Sequence, residues 1–166
     1  MGLSRFLDDW TIRKIGGSRQ LTRNELGSYT VRKLEETVRY AYENSSFYRE
    51  KYAGCDLEDF ENLPFATPDE LREKAMDFLC VKPGEISRIV TLDTGGSTGN
   101  PKRVYFTEED QQLTVDFFEN GMQLMADSSD KVLILMPAKV PGSIGKLLAE
   151  GLRNFGAKAI EYGLPE

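Results

Sequence analysis

A helical N-terminal half leading into an α/β half is the architecture this sequence predicts, and three observations carry it. Apolar residues fall at helical spacing between Tyr29 and Asn44, with charges on the opposite face. After Pro83-Gly84 the pattern changes from helical to alternating. Further on, the continuous apolar run Val132-Leu-Ile-Leu-Met136 precedes a helical stretch and a second short apolar run, the pattern of a strand-helix-strand unit. The length of 166 residues fits one domain of ordinary size, able to bury about two thirds of its unfolded surface. With 40% hydrophobic and 10% aromatic residues, the chain can build a core without metal or disulfides, and disordered or collagen-like order is excluded.

In chain order, residues 1–27 read as an N-terminal arm, and Gly16-Gly17 marks a turn within it. Residues 1–33 hold a local charge of +4 within a total of −6, the pattern of a solvated arm, with a partner-binding arm as the alternative. Residues 28–86 form a helical region. Its first helix is set by Val31, Leu34, Val38 and Tyr42, with Ser28 as N-cap and an end near Asn44-Ser45-Ser46. An aromatic cluster follows at Phe47, Tyr48 and Tyr52. Thr67-Pro-Asp-Glu70 is a capping box with proline at the first helical position. Residues 87–166 are a partial α/β subdomain. It contains a strand from Arg88 to Thr94, a Gly-rich loop over 94–102 and a strand over Arg103–Thr107. A second capping box, Thr107-Glu-Glu-Asp110, opens a helix through Leu113, Phe117, Gly121 and Leu124. The run Val132–Met136 predicts a strand buried on both faces, as in a parallel sheet. A helix over 143–155 and a strand over 159–162 complete the unit. The chain stops directly after that strand, so the sheet reads as cut short.

Composition also excludes chemistry. The chain has no histidine, which removes the commonest general base and every Ser-His or Cys-His nucleophile pair. Cys55 and Cys80 are too few and too far apart for a thiolate zinc site, and read as small buried hydrophobes. The acidic balance argues against nucleic acid as a partner. No apolar run reaches the ~18 residues of a membrane span, and the N-terminus lacks a signal-peptide core, so a soluble cytoplasmic chain is expected, with no membrane partner.

The segment richest in chemistry is Thr94-Gly95-Gly96-Ser97-Thr98-Gly99-Asn100-Pro101-Lys102. Glycines let backbone N–H groups converge on an anion, hydroxyls add donors, and the lysine supplies a compact charge for phosphate. One such charge pair at about 4 Å and an effective dielectric near 20 is worth on the order of 4 kcal/mol before desolvation. Neither Gly-Lys-Ser/Thr nor Gly-x-Gly-x-x-Gly occurs, which excludes the Walker and Rossmann loops. The alternative is a Gly/Ser hairpin turn without a ligand, with Lys102 a solvated charge.

This segment resembles the phosphate loop of adenylate-forming enzymes, Thr-Ser-Gly-Ser/Thr-Thr-Gly-x-Pro-Lys, with Gly95 in place of the usual serine. Asn44-Ser-Ser-Phe-Tyr-Arg49 and Leu63-Pro-Phe-Ala-Thr-Pro-Asp-Glu-Leu-Arg72 resemble the N-terminal region of phenylacetate–CoA ligases, with Ser46 replacing a proline. Pro137–Gly156 resembles the glycine-containing segment bordering their acyl and CoA region. The resemblance implies an incomplete N-terminal piece of the adenylate-forming fold, α/β with a strand-loop-strand phosphate hairpin and βαβ units. It implies a parent enzyme that uses Mg-ATP, a carboxylic acid and CoA to make an acyl-adenylate and then an acyl-CoA. Thr94, Gly95, Gly96, Ser97, Thr98, Gly99 and Lys102 would hold nucleotide phosphates, and Tyr105, Met136, Pro137 and Gly142 would border the acyl or CoA region. No catalytic residue and no metal ligand are assigned within the chain. Family members are much longer, so the isolated chain is expected to be inactive, to bind no cofactor tightly and to self-associate. Two alternatives stay open: a stand-alone interaction or nucleotide-binding protein derived from a ligase fragment, and acyl transfer to a protein thiol instead of CoA. Glu108-Glu109-Asp110 reads as acidic residues favoured in a first helical turn rather than as a metal cluster. Tyr105 and Phe106 also read as core or sheet-face residues, and Phe117 and Phe118 as packing.

Overall fold

The computed structural model describes residues 5–16, 22–92 and 102–165. The chain divides into two compact units, one formed by Arg23–Glu108 and the other by the residues before and after it.

The first unit opens with α2 (Arg23–Asn44), which follows α1 (Arg5–Ile15) of the other unit. Helix α2 starts five residues before the predicted cap, so Ser28 sits inside it and caps nothing. Glu25 in the first turn favours the earlier start electrostatically. The hydroxyls of Thr30 and Thr37 bond back to the carbonyls of Leu26 and Lys33, joining the helix rather than breaking it. The end at Asn44 is as predicted. Ser45, fully buried, then caps the short α3 (Ser46–Lys51): its Oγ accepts from the N–H of Tyr48 at 3.3 Å and donates to the carbonyl of Asp77 at 2.7 Å. Ser46 therefore occupies the first helical position, where proline is favoured because its missing N–H has no intrahelical partner. The aromatic cluster closes over this turn, with Phe47 stacked on Phe78 at 3.8 Å and Tyr48 edge-on to both. Helix α4 (Pro68–Glu73) begins with the predicted reciprocal capping box, Thr67 Oγ1 accepting from Glu70 N–H and the Glu70 carboxylate accepting from Thr67 N–H. Lys51 grips both oxygens of that carboxylate at 2.7 and 2.9 Å.

Strands β1 (Ile86–Leu92) and β2 (Lys102–Thr107) form an antiparallel pair running from Ile86↔Thr107 to Leu92↔Lys102, with a register shift between Ile86 and Arg88. Cys55 and Cys80 are free thiols, half-buried rather than fully buried, and burial pushes the Cys80 thiol up.

In the second unit, α5 (Glu108–Met122) starts on the three acidic residues Glu108-Glu109-Asp110. Helix α1 docks on it through Trp10, whose ring N–H donates to Asp116 at 2.9 Å and whose ring makes a T-shaped contact with Phe117, centroids 6.0 Å apart. Strands β3 (Lys131–Ile134) and β4 (Lys158–Glu161) are parallel and joined through α6 (Ile144–Asn154), as the strand-helix-strand reading required. Ile134, Leu148, Ala149, Leu152 and Ala157 form the core, with Phe118, Met122 and Phe155 against it. The expectation of a strand buried on both faces is corrected. Helix α6 covers the Ile134 side, while Leu133 and Leu135 on the alternate positions remain 55% and 48% exposed.

Candidate functional site

The predicted phosphate-binding residues Thr94, Gly95, Gly96, Ser97, Thr98 and Gly99 lie outside the described residues. The strands on either side of them are described, and their pairing brings Leu92 directly opposite Lys102. Residues opposite each other in an antiparallel pair share a face, about 4.5–5.5 Å apart. Lys102, half-buried, is thus on the face of Arg88, Val90, Val104 and Phe106, whereas Arg103 and Tyr105 share the other face with Thr91 and Ile89. Branched and aromatic residues along both strands suit a pleated, half-buried surface, which is why this stretch forms a hairpin.

Tyr105 lines a cleft of about 510 Å³ with Arg72, Lys74, Met76, Asp77 and Arg103. The wall opposite β2 is held in place behind: the Asp77 carbonyl accepts from Phe47 N–H at 3.0 Å and from Ser45 Oγ. Sequence reasoning singled out Tyr105 but missed Arg103 and Arg72. Strand alternation gives the signal for Arg103, two positions from Tyr105 and so on its face. Arg72 comes from a distant segment, and only the tertiary fold brings it there.

Met136, Pro137 and Gly142 belong to the other unit, in the connection between β3 and α6. Met136 is 41% exposed, Pro137 is exposed, and Gly142 has φ +69°, in the left-handed region that favours glycine. Pro137 is pinned to the first turn of α6, its carbonyl accepting from Gly145 N–H at 2.9 Å. A Cβ at Gly145 would stand 2.7 Å from that carbonyl oxygen, so the glycine is required by the close approach. The buried Oγ of Ser143, the residue before α6, has no hydrogen-bond partner among the described residues.

The perturbed carboxylates mark structural pairs. Glu70 is held down to about 2, chiefly by the Lys51 hydrogen bond and then by the Thr67 N–H. At Asp116 burial works to raise the pKa, but the bonds from Lys14 and Trp10 prevail and hold it low. Glu161 is lowered by Lys146 and Arg153, which reach from α6 to β4. Among the described residues no cluster of Cys, Asp and Glu is arranged to hold a metal ion, and no helix is long and apolar enough to cross a membrane.

No protein-family model matches the chain. It is 32% identical over 96 residues to the phenylacetate-coenzyme A ligase of Escherichia coli K12 and 29% identical over 94 residues to that of Pseudomonas putida. The chain resembles part of a phenylacetate–CoA ligase. The matches cover 52% and 51% of this chain but 22% and 21% of those ligases. The fold is shared with 2-hydroxyisobutyryl-CoA ligase in complex with 2-HIB-AMP and CoA in the thioesterification state, at a TM-score of 0.72 and 22% identity. An open conformation of that ligase gives 0.70 and 21%. These likenesses cover 88% of this chain and about a third of the ligase, 33% and 36%. The ligase-like chain thus has a mixed α/β fold corresponding to part of an acyl-CoA ligase and spans about a fifth of its curated relatives.

Proposed function

We propose that this chain is the N-terminal, phosphate-gripping part of an AMP-forming acyl-CoA ligase. The observation that carries the reading is the β1–β2 hairpin, whose register sets Leu92 against Lys102 at the two ends of a Gly-, Ser- and Thr-rich segment. The likeness to phenylacetate–CoA ligases and the fold of a CoA- and acyl-AMP-bound ligase support it. In the proposed reaction a carboxylate oxygen attacks the α-phosphorus of ATP, the bridging P–O bond breaks, and pyrophosphate leaves. The CoA sulfur then attacks the acyl carbonyl carbon, and AMP leaves with the electrons of the broken C–O bond. Magnesium enters with the nucleotide as part of the substrate.

The residues of this chain act on the first step. Backbone N–H groups and hydroxyls of Thr94–Gly99 surround the β- and γ-phosphates, and Lys102 offsets the charge that builds on the leaving pyrophosphate. This is positioning and charge stabilisation, with no covalent nucleophile from the chain. Met136, Pro137 and Gly142 border the acyl or CoA end.

Calorimetric titration with Mg-ATP tests the reading. Binding is expected to be weak, on the order of millimolar, and Lys102→Ala should weaken it about tenfold or more. The isolated chain should give no carboxylate-dependent ATP–pyrophosphate exchange. Binding indifferent to Lys102→Ala, or robust exchange by the isolated chain, would contradict it.

A further inference from the structure

We propose that the cleft between β2 and the segment following α4 is a second anion site, distinct from the phosphate loop, that takes a phosphomonoester carried on an apolar or aromatic body. Its volume of about 510 Å³ is within the range of small-molecule sites and far more than a bare phosphate fills. Arg72 and Lys74 approach from one wall and Arg103 from the other. The Arg72 guanidinium is engaged by Asp69. The side chains of Lys74 and Arg103 make no hydrogen bond or ion pair with another described residue. Glu73 and Asp77 also line the cleft, two acids against three cations, and the Asp77 carboxylate accepts from Ser46 Oγ at 3.4 Å.

An ammonium and a guanidinium lining one cleft, with no side-chain partner for either, favour a dianion over a single carboxylate charge. A phosphomonoester carries about −1.5 to −2 at neutral pH and offers three acceptor oxygens to the guanidinium fork. The remaining lining fits an organic body: the half-buried Tyr105 ring, Ala75, and Met76, 54% exposed. The wall is already built, since Phe47 and Ser45 hold the Asp77 carbonyl and Phe78 stacks on Phe47. The backbone of this wall needs little ordering on binding, whereas the exposed Lys74 and Arg103 side chains are ordered by the anion.

The site is separate from the loop because of strand alternation. Lys102 and Arg103 are adjacent on β2 and project to opposite faces. An anion held by Arg103 is on the far side of the hairpin from Lys102, so this inference does not depend on the ligase reading, and the two fail independently.

The test is a calorimetric and amide-shift titration of the 166-residue chain with phenyl phosphate, benzoate and AMP. Phenyl phosphate should saturate, weaken about tenfold with Arg103→Ala and with Lys74→Ala, and keep its affinity with Lys102→Ala. Benzoate should bind about tenfold more weakly. Both cleft residues are exposed, so circular dichroism should show each variant folded. The comparison of phenyl phosphate with AMP assigns the body, aryl or nucleoside, and either ligand lost on Arg103→Ala upholds the site. Absence of saturation by about 10 mM, insensitivity to both cleft substitutions, loss on Lys102→Ala, or equal binding of benzoate would overturn it.

Discussion

At Asp116 one carboxylate ties two helices together, and its fate can be argued atom by atom. It accepts from the Trp10 ring N–H at 2.9 Å and pairs with Lys14 at 2.7 Å, while its neighbour Asn120, one turn on, accepts from Arg13 at 3.0 Å. Asp116→Ala leaves the Trp10 donor half-buried without its acceptor and should cost about 1–3 kcal/mol. Trp10 is the chain's single tryptophan, so denaturant unfolding followed by its fluorescence reads the loss directly. An unchanged midpoint would remove Asp116 from the α1–α5 seam. Glu70 gives a second prediction at this scale. Its folded pKa of about 2 lies below the ordinary carboxylate value of 4.5, so its contribution to stability is present above that value and lost as pH falls towards 2. Acid titration of stability should therefore show a decline between about pH 4.5 and 2, and Glu70→Gln should flatten it. Neither residue was legible in its tertiary role. The box Thr67–Glu70 announces the cap, but Lys51 is nineteen positions away and only the fold brings it to Glu70.

Among elements, the packing of α5 on α6 rests on a missing side chain. A Cβ at Gly151 would meet Glu119 N at 2.8 Å, Phe118 Cβ at 2.9 Å and the Val115 carbonyl at 3.0 Å, two of them backbone atoms that cannot swing aside. Gly151→Ala should gain helix propensity of about 1 kcal/mol and still destabilise, since overpacking of this kind typically costs about 1–3 kcal/mol and backbone must shift here. Thermal unfolding checks the sign: a higher melting temperature would show that the helices can separate without loss. The elements themselves were largely legible. Helix α6, strands β1 and β2 and the start of α4 follow from apolar period and capping chemistry, which are local. The start of α2 was misplaced because Ser28 has the chemistry of a cap, while the helix carries on through it from an acidic first turn. The two-sided burial of β3 was misread because a run of apolar residues records what a strand can bury on each face, not what covers it.

For the whole molecule, the uncovered face of the β3–β4 sheet has the clearest consequence. Leu133 and Ile160 are register partners, and Leu135 and Tyr162 continue the same alternation. All four are exposed, from 41% for Ile160 to 67% for Tyr162. Apolar surface of this kind favours association, so light scattering of the isolated chain should show mass rising with concentration, reduced by Leu133→Lys. A clean monomer at high concentration would contradict that expectation. The proposed phosphate segment is read from the sequence alone, where Gly-rich spacing with a terminal lysine speaks for phosphate, and residues 94–101 lie outside the described residues. The cleft was not legible in the sequence, since Arg72 and Arg103 meet only through α4 and β2 folding together. The central claim, that residues 94–102 grip nucleotide phosphates, is tested most directly by mapping amide shifts while Mg-ATP is added. The account predicts the largest changes at Thr94–Gly99 and Lys102, with Lys102→Ala moving the titration to about tenfold higher nucleotide or beyond. Shifts confined to other residues, or none in that segment at saturating nucleotide, would contradict it.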